Sequence, residues 1–207
     1  MVSLPASTMV RVATRQATVT APREINPANV VRVRSALPQG YEVAEVSGPV
    51  SAAGLWGFGT GWTVDPPQCA GLADPAPSDP GARGLSASGP GGTVFVVASA
   101  TADDASGFDL LTQCDSWTMT FVHTSAEVTR TEAPVIDDAV TVAWRGATRT
   151  IVEAGSETNA LASTASAYFD HHVAYVTLIT DPGSPHPPLD SGFVAETLAT
   201  TVAALRG

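Results

Sequence analysis

The sequence of 207 residues contains no lysine, so all ten of its basic residues are arginine. They stand against 20 acidic residues, which gives a net charge of −10 at pH 7. Because an acidic surface repels a phosphate backbone, this balance excludes nucleic acid as the expected partner. The arginines form only one loose group, near the N-terminus: Arg11, Arg15, Arg23, Arg32 and Arg34.

Cysteine is also scarce, since only Cys69 and Cys114 occur. A structural zinc site needs about four Cys or His ligands at short spacings, and a redox pair is usually Cys-x-x-Cys. Neither pattern is present, so we predict one disulfide between the two residues. It closes a loop of about 45 residues, is worth roughly 3–5 kcal/mol, and is typical of an oxidising compartment. The alternative interpretation is two unpaired buried thiols.

Long hydrophobic runs are missing as well. No stretch of 18 or more apolar residues occurs, so the sequence predicts no transmembrane helix. Residues 1–25 lack the charged start and the apolar run of a signal peptide. Because the disulfide indicates export, we expect this sequence to be a mature form from which an export segment was removed.

The common catalytic signatures are absent: there is no Gly-x-Ser-x-Gly, His-Glu-x-x-His or phosphate-binding loop. Only Asp170, His171 and His172 resemble a metal site. If a strand begins there, the two histidines point to opposite faces of the sheet, and one metal ion cannot bind both. We expect no metal and no cofactor, and keep a metal-dependent hydrolase using these three residues as the alternative. Such a site needs further ligands, for example His123, Asp181 or His186.

Three large aromatic residues, Trp56, Phe58 and Trp62, lie within seven positions and are separated by glycines. The glycines disfavour regular structure there, so the aromatic side chains need a packing partner from elsewhere in the chain. We predict that this segment borders a ligand cleft or a protein-binding patch beside the disulfide. The alternative is a hydrophobic core around the disulfide.

The chain is long enough for one domain and an arm. We predict a flexible arm over residues 1–24, because no large apolar residue follows Met9, and a single domain over residues 25–207. Asn26 before Pro27 predicts a helix start, with Val30 and Val33 on its buried face. Further helices are predicted from Ser51 to about Trp56, from Thr101 to about Gln113, and from Asp190 or Ser191 onwards with a buried stripe of Val194, Leu198, Val202 and Leu205.

Alternating apolar residues and turn signals predict the strands. A hairpin over residues 85–100 turns at Gly89-Pro90-Gly91-Gly92, and its second strand is apolar on both faces and therefore central. We predict another hairpin that turns at Arg145-Gly146-Ala147. The remaining strands are predicted at residues 41–46, 117–123, 126–131, 161–169 and 172–180. Helices beside consecutive hairpins indicate an α+β fold with a single antiparallel sheet.

With these elements placed, the chain resembles a mycobacterial lipoprotein family of unknown function over about residues 26–207. The matching segments are residues 37–43 (LPQGYEV), 56–59 (WGFG), 65–69 (DPPQC), 84–89 (GLSASG) and 176–183 (VTLITDPG). That family is itself similar to the extracellular sensor domain of the mycobacterial kinase PknH. The looser likeness to the sensor lies in the order of elements and in the placement of the two cysteines. It implies a disulfide-braced sheet with a cleft for an unidentified ligand.

Two departures from these families affect what we expect. The kinase sensor carries two disulfides and this chain has cysteines for one. The lipidation cysteine of a bacterial lipoprotein is missing from the N-terminal segment of this sequence, so membrane association is expected only if the native N-terminus carries a lipid anchor.

These observations predict an exported, non-enzymatic domain of the cell envelope, of the sensor or lipoprotein type. We expect it to bind a small molecule, a lipid or an envelope protein through a cleft near Trp56, Phe58 and Trp62. Besides the hydrolase, a purely structural envelope protein is the other alternative.

Overall fold

A computed structural model describes residues 24–101, 111–152 and 155–207. These residues form one antiparallel sheet of nine strands in the order β1-β3-β4-β9-β8-β7-β6-β5-β2. The predicted α+β class with a single sheet is confirmed. The strands are β1 Glu42–Ser47, β2 Thr63–Asp65, β3 Arg83–Gly89, β4 Gly92–Ala100, β5 Ser116–Phe121, β6 Thr124–Thr131, β7 Val140–Ile151, β8 Glu157–Phe169 and β9 His172–Thr180.

Three adjoining strands inside the sheet, β4, β9 and β8, are largely buried on both faces. Side chains alternate between faces along a strand, so each face has its own core. On β9, Ala174, Val176 and Leu178 point to what we call the front face, and Val173 and Tyr175 point to the back face. The predicted central position of β4 is therefore confirmed.

Two helices cover part of the front face. A 3₁₀ helix, Pro27–Ala36, begins at Asn26, whose side chain accepts a hydrogen bond from the Ala28 amide. The C-terminal helix, Ser191–Arg206, is capped by Asp190, whose carboxylate accepts from the Phe193 amide at 2.9 Å. Both helices bury the stripes that the sequence predicts: Val30 and Val33 in the first, and Val194, Leu198, Val202 and Leu205 in the second.

Short helices and the disulfide cover the back face. Helix α1, Ala52–Leu55, is capped by Ser51, and the 3₁₀ turn Pro67–Cys69 leads into helix α2, Ala70–Ala73. Cys69 and Cys114 form the predicted disulfide, with their Cα atoms 5.8 Å apart and both residues fully buried. The disulfide thus joins the α2 side of this layer to the start of β5.

One prediction for the strands is wrong, and one strand was missed. The predicted turn at residues 145–147 is absent, because β7 runs unbroken through it. Gly146 fits a strand here because a Cβ at this position would lie 2.5 Å from the Glu127 carbonyl oxygen and 3.1 Å from the Trp56 ring. The short edge strand β2 was not predicted, since three residues give too little alternation to recognise.

Two predicted segments lie largely outside the described residues. They are the arm over residues 1–24, of which only Glu24 is described, and the helix from Thr101 to about Gln113, of which residues 102–110 are not described. Within the described part of the chain, no helix is long and apolar enough to cross a membrane.

Candidate functional site

The front face is open where β6 to β9 extend past the C-terminal helix, and a cleft of about 540 Å³ lies there. We call it the front cleft. The strand register places eight floor side chains in two rows of four. One wall is formed by Pro188, Leu189 and Ser191, at the start of the C-terminal helix. The floor rows are Glu127, Ala147, Leu161 and Thr180, and Thr129, Arg145, Ser163 and Leu178.

The centre of the front cleft is apolar and its outer side is charged. Leu161 is 48% exposed, although its neighbours along the same face, Ala165 and Ala167, are buried under the helix. Leu189 continues this apolar surface at the wall, whereas Leu178 is only 4% exposed and lies in the core beneath the cleft. Arg145 and Glu127 lie on the opposite side, on β7 and β6. The arrangement suits an amphipathic ligand, because apolar and polar contacts come from opposite sides.

A second cleft, of about 560 Å³, lies at the end of the sheet. It is bounded by the β3–β4 turn and by the proline-rich loop over residues 181–188. Leu189 donates its amide to the Gly91 carbonyl at 3.1 Å, and Gly91 donates to the Tyr41 hydroxyl at 2.7 Å, so the loop is fixed to the turn. Thr180 and Pro188 line both clefts. The loop therefore separates two adjoining openings.

The aromatic segment lies behind the front cleft. The Trp56 indole donates to the Thr164 hydroxyl at 2.9 Å, and Thr164 is hydrogen-bonded to Thr177 at 2.8 Å. The same Trp56 ring packs against the back of Gly146, whose backbone is part of the cleft floor. Trp56 thus supports the floor from the opposite face of the sheet.

The three predicted aromatic residues differ in exposure. Trp56 and Phe58 are 6% and 3% exposed and belong to the back core around the disulfide. Trp62 is half-buried and packs against the same core. None of the three is among the residues that line the two clefts described above. Direct contact between this segment and a ligand stays a prediction.

The position of Trp56 depends on a buried carboxylate. Asp74 accepts hydrogen bonds from the Ser51 hydroxyl at 2.5 Å and from the Ala52 amide at 2.9 Å, at the start of α1. Burial raises the pKa of Asp74, and these two hydrogen bonds lower it only in part. Asp74 therefore holds the helix that leads into Trp56, at the cost of keeping a carboxylate away from water.

We expect the stability difference between the wild type and Asp74→Asn to depend on pH. Because the pKa is raised in the folded state, the contribution of Asp74 is largest below the ordinary value of 3.8 and is lost as the pH rises through the folded-state pKa. Asparagine does not ionise, and its oxygen can still accept from Ala52. Urea unfolding from pH 3.5 to 7 measures this, and a difference that is constant with pH contradicts it.

The hydrolase candidates Asp170, His171 and His172 lie at the β8–β9 turn. Asp170 and His171 adopt positive φ angles of 45° and 57°, so they form the turn and only His172 belongs to β9. The strand geometry considered for both histidines is wrong for His171, because a two-residue hairpin turn requires positive φ. Among the described residues, no three His, Cys, Asp or Glu side chains lie close enough to hold a metal ion. The hydrolase stays a prediction.

The comparisons with known proteins concern the whole fold. The model of the "Domain of unknown function (DUF5642)" family matches residues 26–206. The chain belongs to the DUF5642 family. The DUF5642 domain is also similar to the X-ray structure of an uncharacterised protein from Mycobacterium smegmatis, described as an Rv0999 ortholog. The TM-score is 0.64 at 23% identity, over 90% of this chain and 100% of the other. This likeness shows the fold. No curated protein matches the chain.

The sequence interpretation missed the lining of the front cleft in this DUF5642 domain. It places Leu161, Leu178 and Leu189 only in strands or in a loop, and Arg145 in a turn. The available signal was weak. Leu161 follows a run of polar residues over 155–159, which indicates the exposed end of a strand but not which element leaves it uncovered.

Proposed function

We propose that this DUF5642 domain is an exported, non-enzymatic binding domain of the mycobacterial cell envelope, and that the front cleft is its binding site. The observation that carries the proposal is the exposure of Leu161 in a cleft of about 540 Å³ whose wall residue Leu189 continues its apolar surface. Clefts of about 300–1,000 Å³ with apolar centres and a few polar groups are typical of small-ligand sites.

Three further observations support this proposal. The Cys69–Cys114 disulfide is typical of proteins that work in oxidising compartments. The resemblance to mycobacterial lipoproteins and to the PknH sensor favours a binding role in the envelope. The back core supports the floor of the cleft through Trp56 and Gly146, and a rigid floor lowers the entropy cost of binding.

We expect the uncharged fluorophore N-phenyl-1-naphthylamine to bind the folded protein saturably, and Leu161→Thr to weaken this binding by about tenfold, since a buried leucine contact is worth about 1.5–3 kcal/mol. Threonine suits a strand, so the variant is expected to fold. Fluorescence titration measures the affinity.

The matched control is Val135→Thr, which changes another apolar residue, 96% exposed and outside both clefts. It is expected to bind the fluorophore like the wild type. Absence of saturable binding to the wild type, or equal loss in both variants, would falsify the front cleft as the site.

A further inference from the structure

Arg145 is one of five described arginines without an ion-pair partner among the described residues, and of these it is the one that lines the front cleft. Arg130 and Arg149 form ion pairs with Asp115 and Glu157, whereas no carboxylate oxygen of the described residues lies within 4.0 Å of the Arg145 guanidinium. Arg145 is exposed and lies on the floor of the front cleft. It is thus a cation at the cleft without an ion-pair partner among the described residues.

Arg145 is a positive charge in a strongly acidic domain. Residues 24–207 contain 7 arginines and all 20 acidic residues of the sequence, a net charge of −13. In such a domain, an unpaired guanidinium beside an apolar surface is the one feature of the front cleft that attracts an anion. A guanidinium also matches the geometry of phosphate and carboxylate groups, which it can bind through two parallel hydrogen bonds.

Arg145 and the apolar surface of the cleft are close enough for one ligand to contact both. Arg145 pairs with Ser163 on the neighbouring strand, and Ser163 pairs with Leu178 on the next. With adjacent strands about 4.8 Å apart, the arginine lies roughly 10 Å from Leu178 across the floor. The side chains between them are small, namely Ser163 and, in the next row, Ala147. An apolar chain can therefore lie over Leu161 and against Leu189 while its polar end reaches Arg145.

We propose that the front cleft binds a single-chain amphiphile with an anionic headgroup, with the apolar chain on Leu161 and against Leu189 and the headgroup on Arg145. This inference rests on the proposed function and adds the chemical class of the ligand. Glu127 lies diagonally to Arg145 on β6. Its negative charge repels the anionic headgroup and so limits the affinity of the cleft for this ligand.

The test compares amphiphiles with the same twelve-carbon chain and different headgroups, each below its micelle-forming concentration. Dodecyl phosphate is expected to displace N-phenyl-1-naphthylamine at least tenfold more effectively than dodecyltrimethylammonium, with dodecyl maltoside in between. Inorganic phosphate alone is expected not to displace it, because it lacks the apolar chain. This comparison distinguishes a lipid-like ligand from free phosphate.

Variants at the two charged positions give opposite expectations. Arg145→Gln is expected to weaken the binding of dodecyl phosphate by about tenfold, which is the size of effect expected for one hydrogen bond to a charged group. Glu127→Gln is expected to strengthen it, because a nearby like charge is removed. Each affinity for dodecyl phosphate is expressed relative to that for uncharged dodecyl maltoside in the same variant, which separates loss of the headgroup contact from a general change of the cleft. The control is Arg32→Gln, an exposed arginine on the 3₁₀ helix outside both clefts.

Equal displacement by the cationic and anionic amphiphiles overturns the inference, as does unchanged dodecyl phosphate affinity in Arg145→Gln. Displacement by inorganic phosphate alone also overturns it, in favour of a free anion. In each of these cases saturable fluorophore binding that depends on Leu161 leaves the proposed function in place. If fluorophore binding does not depend on Leu161, both the proposed function and this inference are wrong.

Discussion

Replacing Cys69 and Cys114 together with alanine is expected to lower the free energy of unfolding by about 4 kcal/mol, the chain-entropy value for a closed loop of 45 residues. The physical reason is that the disulfide restricts the unfolded chain. The disulfide also joins α2 to the start of β5 in the back layer. We therefore expect the double variant to unfold in a single cooperative transition at lower stability. Urea unfolding of the double variant and the oxidised wild type measures it.

Dithiothreitol supplies the control for this prediction. The reductant is expected to shift the unfolding midpoint of the wild type towards that of the double variant and to leave the double variant unchanged, because the chain has no other cysteine. Identical midpoints for the oxidised wild type and the double variant would show that the disulfide contributes nothing to stability.

Phe58→Ala is expected to destabilise the domain by about 3–5 kcal/mol, the range for removing a buried phenyl ring. Phe58 is 3% exposed and packs in the same back core as Trp56 and the disulfide. The surrounding backbone has little freedom to collapse into the space, because it is held by the disulfide. Thermal or urea unfolding gives the magnitude.

Val135→Ala is the control for Phe58→Ala, since an exposed valine is expected to change stability by no more than about 0.5 kcal/mol. If Phe58→Ala keeps the stability of the wild type but binds ligand more weakly, the aromatic segment itself forms the binding surface. That result would favour a cleft at Trp56, Phe58 and Trp62, as the sequence predicts, over the front cleft.

The local signals in the sequence predicted the elements well. Asn26 with Pro27, and Asp190 before the last helix, mark helix starts through single side-chain hydrogen bonds, which depend only on neighbouring residues. The hairpin at residues 89–92 follows from its glycines in the same way. The two cysteines left one possible intramolecular disulfide, which the structure contains.

The errors fall where a distant part of the chain decides the outcome. The sequence favours a turn at Gly146, but this residue lies inside β7 because it pairs with Val128 on β6 and Ala162 on β8. Only glycine fits there, since a side chain would clash with the Glu127 carbonyl oxygen and the Trp56 ring. The predicted strands end at Phe169 and begin at His172, as they do in the structure, so only the strand geometry considered for His171 is wrong. At Gly146 the local residues fit either structure, and pairing with the neighbouring strands selects one of them.

The sequence by itself determined the acidic surface, the disulfide, the two faces of each central strand and the α+β class, because these depend on composition and on spacing along the chain. Only the tertiary structure decided where the binding surface lies. The front cleft brings together Arg145, Leu161, Leu178 and Leu189 from two rows of the sheet and one loop. Leu161 is exposed because the C-terminal helix does not extend over it, and that boundary is set by how the helix packs on the sheet.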